Sequence, residues 1–440
     1  MSLLDLPIEV LLQILYDLEL TDLHNLMLTC KTARNIVISN NSIWRNIIKC
    51  WNQMIVRNST DNSKINTLSI YNQLRISNNW RKGIYKNKVI IQHNTKYMPW
   101  LYFHNSQLIL LSVGSELHCY EVDRRGTLRG AAPIWKFKVP TVKRGDIRTN
   151  DISRFVRSEN IIFCGNRDGS STVALLTHPK KRPKPLYFIS NCQESGKVEV
   201  SAVELVANSE KVCAITASMH SSKLLLWNFN NETYYDEITS WTDPSENPSK
   251  FLTEIEFPED IGIRCLSLHS SKRKIAAGLN RSVIPVLIDI ETRKFLYKPL
   301  LGRCHKLLTR DIRWHDPNTI IYVTNYGTVH YVDVRAKRVV HEMMDPFQAS
   351  CYCLKSDGDR AIIVGSSEYS RCVLYDIRKH DSHVQMYFTQ KKSSPVYSLD
   401  FDSTKLIAAV DRSVAVLDYN TSYRGIRGVR DYSHTFEVIK

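Results

Sequence analysis

A recurring strand end restricts this chain more than any other feature. The segments "VLIDI", "HYVDV", "VLYDI" and "AVLDY" each set an acidic residue behind a short apolar run. Those residues, Asp289, Asp333, Asp376 and Asp418, lie 44, 43 and 42 positions apart. Around them apolar and polar residues alternate over short stretches bounded by turn residues, the pattern of half-buried strands. A period of about 40–45 residues is that of a four-stranded propeller blade. Upstream, Glu121 in "LHCYEV" and Asn228 in "LLLWNF" occupy the same place, with a poorer copy at Leu176-Thr177. That makes seven copies, the longer upstream intervals being filled by insertions such as "TVKRGDIRTN" and "WTDPSENPSK". One blade cannot bury both of its faces, whereas a closed ring leaves only short edges. The expected architecture is an all-β, seven-bladed propeller. The strand "NKVIIQHN" (87–94) precedes the first blade and is predicted to complete the last.

The first fifty residues follow a different period. Ile8, Leu11, Leu12, Leu15 and Leu18 recur at helical spacing, Val10 and Ile14 widen the stripe, and Pro7 suits the first turn. Thr21 or Asp22 can cap a second helix carrying Leu23, Leu26 and Met27, and Ser42 can cap "IWRNIIKCW". So small an all-α module has more apolar surface than its own core can bury, which marks a partner groove. It is no secretory signal, because its first charges, Asp5 and Glu9, are acidic and Gln13, Tyr16 and Asp17 break the apolar run. No window supplies the ~20 apolar residues of a membrane span. The expected domains are a helical module at 1–50, a helical linker at 51–86, the propeller at 87–420 and a tail at 421–440.

The chain's 440 residues carry a formal charge of +15. The first fifty hold Lys31, Arg34, Arg45 and Lys49 against Asp5, Glu9, Asp17, Glu19 and Asp22, so the excess lies further on. Such an excess favours acidic partners. The 11 cysteines are odd in number, without CxxC spacing, and read as free thiols in a reducing compartment, cytoplasmic and/or nuclear. Cys351 and Cys353, two apart on a strand, are expected on one face and read as packing residues. No metal and no cofactor is expected. "HEMMD" (341–345) lacks the second His of HExxH, and adjacency does not orient Cys304-His305 as a catalytic pair. The reading is of a binding protein, not an enzyme.

Leu6-Pro7, Glu9-Val10-Leu11, Ile14-Leu15, Leu18, Leu23, Leu26, Cys30-Lys31, Arg34 and Trp44 resemble the F-box in order and spacing. Thr32-Ala33 stand where an aromatic is common. The segments "NNWRKGIYKN" (78–87), "YMPWLYF" (97–103), "CYCLKSDGDRAIIVGSSEYSRCVLYDIR" (351–378) and "SSPVYSLDFDSTKLIAAV" (393–410) extend the resemblance to the dactylin family of F-box/WD-repeat proteins, as far as Tyr419. The Gly-His and Trp-Asp dipeptides of WD repeats are mostly absent. The resemblance implies a substrate-recognition adaptor of an SCF-type (Skp-cullin-F-box) E3 ubiquitin ligase, acting by proximity. It implies that Leu6, Pro7, Val10, Leu11, Ile14, Leu15, Leu18, Leu23 and Leu26 bind a Skp-type linker subunit, and through it cullin and RING subunits.

The turn before each anchor strand should point to one rim, where a substrate would bind. Those turns contribute Arg167, His220 with Lys223, Arg281, Arg371 and Arg412, with Tyr326 in the remaining one. Converging arginines suit phosphate or carboxylate, so an acidic or phosphorylated protein substrate is expected there. "HPKKRPKP" (178–185) resembles a nuclear-import signal in a stretch between two blades. "VDVR" (332–335) and "YDIR" (375–378) resemble the Asp-x-Arg ends by which some propellers dock on cullin-4 ligases, with Arg335 and Arg378 as contacts. A basic propeller that binds nucleic acid is a third reading, disfavoured because aromatics do not interleave with the basic turns.

Overall fold

The computed structural model describes residues 3–51, 56, 68–93, 98–208, 211–230, 243–257, 261–282, 284–297, 308–388 and 394–421. Cys304-His305, all but the first residue of the basic tail and most of the segment between 52 and 67 lie outside them.

Four helices form the amino-terminal module: α1 (Ile8–Tyr16), α2 (Leu20–Thr29), α3 (Lys31–Ser39) and α4 (Asn41–Trp51). Leu11, Leu15, Leu23, Met27, Val37, Ile43 and Trp44 make its core. The Trp44 indole donates to the Val37 carbonyl at 2.8 Å, which satisfies the one polar atom the ring brings inside. The helix starts differ from expectation. Pro7 stands just ahead of α1, and α2 begins at Leu20, so Asp22 lies in its first turn. At α4 the cap is Asn40, whose side-chain oxygen accepts the Ser42 N–H at 3.2 Å. Asn, Ser, Thr and Asp cap almost equally well, so composition alone does not choose among neighbours.

A fifth helix, α5 (Ile70–Lys82), runs from a Ser69 cap to Gly83, whose φ of 62° provides the left-handed stop. Leu74 enters the core of the module, while Ile76 and Trp80 enter the propeller. This helix therefore belongs to two cores at once.

The remainder is β-structure: seven antiparallel four-stranded sheets. Strand β1 (Lys86–Gln92) comes first. Blades one to six follow in order as β2–β5 (101–138), β6–β9 (152–189), β10–β13 (202–256), β14–β17 (263–297), β18–β21 (309–344) and β22–β25 (351–387). Blade seven holds β26–β28 (396–418) and takes β1 as its outer strand, paired from Lys86↔Asp418 to Gln92↔Ser413. The ring closes there as expected. Each pair of neighbouring blades shares a buried apolar cluster. The last joins Ile407, Ala409 and Val414 of blade seven to Leu101, Ile109 and Leu111 of blade one.

The acidic anchors have a local cause. Each ends the third strand of its blade, and its carboxylate accepts a backbone N–H from the turn that follows: Thr292 on Asp289 at 2.8 Å, Arg335 on Asp333 at 2.8 Å, Arg378 on Asp376 at 3.1 Å and Asn420 on Asp418 at 2.9 Å. A short acidic side chain starts such a turn without needing any tertiary partner.

Two expectations need correction. A bulge at Tyr352 turns Cys351 toward blade five and Cys353 toward blade seven, so the two do not share a face. Burial pushes both thiols well above their ordinary range. The segment 178–185 joins the third and outer strands within blade two rather than linking two blades. Its Pro179 carbonyl accepts the Trp135 indole N–H at 3.1 Å, and Lys180 pairs with Glu121 at 2.9 Å. No described helix is long and apolar enough to cross a membrane.

Candidate functional site

In each blade the inner strand starts on the face that carries the turn between the second and third strands. The turns after the first and third strands lie on the other face. Helix α5 is fixed to that second face. Trp80 Nε1 donates to the Ser403 carbonyl at 2.8 Å, in the first turn of blade seven, and Asn79 Nδ2 donates to the Tyr419 carbonyl at 2.8 Å. Arg75 reaches the Thr421 carbonyl and the Asn420 side chain. The helical module and the basic turns named above thus stand on opposite faces of the ring.

On the module, the nine positions implied to bind the linker divide into three sets. Leu11, Leu15 and Leu23 are buried in the module's own core, where they hold the helices together and offer no outer surface. Pro7, Val10 and Ile14 are exposed, and Leu6, Leu18 and Leu26 are half-buried. Val10 and Ile14, one turn apart, leave a ridge along α1 and are 45% and 37% exposed, while Ile8, 48% exposed, lies on another face of the helix. Adjacent uncovered β-branched side chains on a short helix are the mark of a contact surface.

On the opposite face the predicted basic ring is thinner than its sequence suggests. Arg371 is fully buried, with Nη2 on both oxygens of Asp345 at 2.6 and 2.8 Å and on Ser366 at 3.2 Å. It locks the start of its strand to the turn of the preceding blade and presents nothing outward. Arg167 pairs with Glu199 at 3.2 Å, and Lys223 pairs with Glu254 at 3.2 Å. His220, Arg281, Tyr326 and Arg412 are exposed. Arg281 and Arg412 have φ of 72° and 55°, in turns where other blades use Gly114, Gly169 and Gly327. A side chain in that left-handed region costs roughly 1 kcal/mol or more, so arginine stands there at a cost to the fold.

The face also holds a group absent from the sequence-based list. The inner strands of blades four, five, six and seven each carry a bulge, and the extra residues are Arg264, Arg310, Tyr352 and Tyr397. They form an arc on four successive blades at the mouth of the central channel. The Arg310 guanidinium lies 4.9 Å over the Tyr352 ring, and Tyr352 meets Tyr397 edge to face at 5.9 Å. Burial, with Arg310 as the next cause, brings Arg264 down to about 10. Among the described residues neither arginine has a carboxylate within ion-pair distance, and Arg310 Nε is buried without an acceptor. The bulge breaks strand alternation at that one position, so a two-residue period does not reveal where these side chains lie. Aligning the repeats on their second strand would have shown the shared position.

Deeper in the channel the charges are balanced. Asp311 receives Arg154 at 3.4 Å and Arg313 at 3.8 Å, Glu204 faces Arg313 at 3.9 Å, and Lys355 pairs with Asp400 at 3.4 Å. Glu204 is pushed up to about 7, first by desolvation, with Arg313 opposing. Among the described residues the mouth therefore carries positive charge without an ion-pair partner, above a shaft whose charges are paired.

The Asp-x-Arg arginines fold back on their own aspartates. Arg378 donates to Asp376 through Nε at 2.8 Å and Nη2 at 2.6 Å, while Arg335 lies 3.6 Å from Asp333 with 73% of its side chain exposed.

The F-box-like family matches residues 3–50, the span of the helical module. Over 419 residues the chain is 24% identical to F-box/WD repeat-containing protein 4 of Mus musculus, covering 94% of this chain and 92% of that one. The Homo sapiens protein of the same name is similar to the same extent. The likeness thus takes in both the helical module and the propeller.

Proposed function

We propose that this chain is the substrate receptor of an SCF-type ubiquitin ligase. The F-box-like module binds a Skp-type linker through Pro7, Val10 and Ile14, with Leu6, Leu18 and Leu26 at the border, and reaches cullin and RING subunits through it. A protein substrate sits on the far face, at the channel mouth. The chain contributes position and no bond-making group: binding raises the effective concentration of substrate lysines near the ubiquitin-loaded enzyme. The observation that carries this reading is the uncovered α1 ridge of Val10 and Ile14 on a module whose α5 is also part of the propeller core.

The substrate chemistry follows from the mouth. Arg264 and Arg310 provide forked donors with no acid in ion-pair reach among the described residues, and Tyr352 and Tyr397 provide flat apolar walls. An acidic or phosphorylated peptide suits them, with Arg281 and Arg412 on the rim steering its approach.

The test is co-purification with a Skp-type linker. Wild type is expected to hold it, and Val10→Asp/Ile14→Asp to lose it while keeping its melting temperature. Linker binding unchanged in a folded double variant would overturn the reading. Binding to a cullin-4 adaptor that disappears with Arg335→Ala would put the second docking mode in its place.

A further inference from the structure

A second site lies where the module meets the propeller. A cleft of about 490 Å³ opens between α3, α5, β1 and the end of β28. Among the described residues its walls carry five cations, Arg34, Arg75, Lys86, Lys88 and Arg125, and one acid, Asp418. They come from four separate parts of the chain, which only the tertiary fold brings together.

One acid thus faces five cations. Asp418 is buried, and desolvation is the main cause pushing its carboxyl above the ordinary range. Burial holds Lys88 and Arg75 below theirs. Lys88 Nζ donates to the Thr127 hydroxyl at 2.6 Å, a neutral partner that leaves its charge unmatched. Arg34, Lys86 and Arg125 make no side-chain hydrogen bond or ion pair among the described residues. Thr421, also in the wall, has a buried hydroxyl with no partner among the described residues.

Like charges gathered in a low-dielectric recess repel strongly and focus their field on any anion that enters. The volume falls within the range of small-molecule sites and exceeds what one phosphate fills. We propose that the cleft binds a small soluble polyphosphate, an inositol polyphosphate or a linear oligophosphate. The ligand is held at once by the helical module and by the propeller, so it fixes their relative orientation. That is the geometry on which delivery of a substrate to a ligase depends.

The experiment uses the full chain at about 150 mM salt, where weak surface attraction is largely screened. Inositol hexakisphosphate, tripolyphosphate and a short single-stranded oligonucleotide are titrated by calorimetry and by melting temperature. The cleft variant is Lys86→Glu/Arg125→Glu, and the comparison variant is Arg264→Glu/Arg310→Glu on the opposite face. Saturable one-to-one binding of a polyphosphate is expected, with a raised melting temperature. Affinity should fall about tenfold or more, ~1.4 kcal/mol, in the cleft variant and hold in the comparison variant. Whichever of the two polyphosphates binds more tightly identifies the ligand type. Absence of polyphosphate binding, equal binding by the cleft variant, loss only in the comparison variant, or binding of the oligonucleotide alone would each overturn the proposal. Linker co-purification by the cleft variant is expected to be normal, which separates this outcome from failure of the adaptor reading.

Discussion

Trp80 stacks face to face on Tyr419, ring centroids 3.6 Å apart and planes 14° from parallel. Trp80 is the last apolar side chain of the helix that completes the module, and Tyr419 follows the final anchor of the closing blade. Both are fully buried, and Tyr85 adds an edge-on contact to Tyr419 at 5.7 Å. Module and ring are joined by a packed aromatic joint.

Trp80→Ala is expected to cost about 3–5 kcal/mol through the cavity and the lost indole bond to Ser403. Chemical denaturation measures it. Limited proteolysis should then cut between module and propeller, where the wild type resists. Equal resistance in both proteins would mean that the joint does not set the coupling.

The α1 leucines and the α1 ridge should separate cleanly. Leu15→Ala removes a side chain only 1% exposed and is expected to lower stability by about 2–5 kcal/mol. Val10→Asp and Ile14→Asp are expected to change stability by about 0.5 kcal/mol or less while abolishing linker capture. Paired melting and pull-down measurements on the same preparations decide the matter.

Arg371 and the rim arginines should also behave differently. Arg371→Ala leaves Asp345 buried and unpaired and should cost about 3–5 kcal/mol. Arg281→Gly and Arg412→Gly relieve left-handed side chains and should hold or raise stability by about 0.5–1 kcal/mol. If the rim serves a substrate, these same glycines weaken its capture, and Arg264→Glu/Arg310→Glu removes it.

Glu204 gives the channel a pH signature. Its folded value, about 7, lies above the ordinary 4.5. The folded state therefore binds the proton more tightly than the unfolded one. The resulting stability is fully present below about pH 4.5, is lost as pH rises to about 7, and changes little beyond. Glu204→Gln imitates the protonated form. It should flatten this stretch and gain on the order of 1–3 kcal/mol at about pH 8 relative to wild type. Urea unfolding at several pH values measures the difference, and an unchanged slope in the variant would assign the dependence to other groups.

The ring was legible in the sequence because its marks are local. In the last four blades an aspartate at the end of the third strand starts the next turn by itself, so Asp289, Asp333, Asp376 and Asp418 repeat at the blade period before any tertiary contact is considered. The α1 stripe is local too, since helical spacing alone aligns Ile8 to Leu18. What the stripe could not say is which of its members face inward. That depends on α2, α4 and α5 packing against it, and the outcome is Leu11 and Leu15 inside, Val10 and Ile14 outside. The binding face was less legible still. Arg371 starts a third strand and Arg412 lies in the turn before one, yet the first finds a buried carboxylate from the preceding blade and the second finds solvent. Arg264 and Arg310 reach the channel mouth through bulges, and the polycationic cleft exists only where four distant segments meet. Sequence alone determined the elements and their repetition, because those follow from backbone geometry over a few residues. Tertiary structure decided which charges are neutralised and which remain, because an ion's partner is whatever the fold sets beside it.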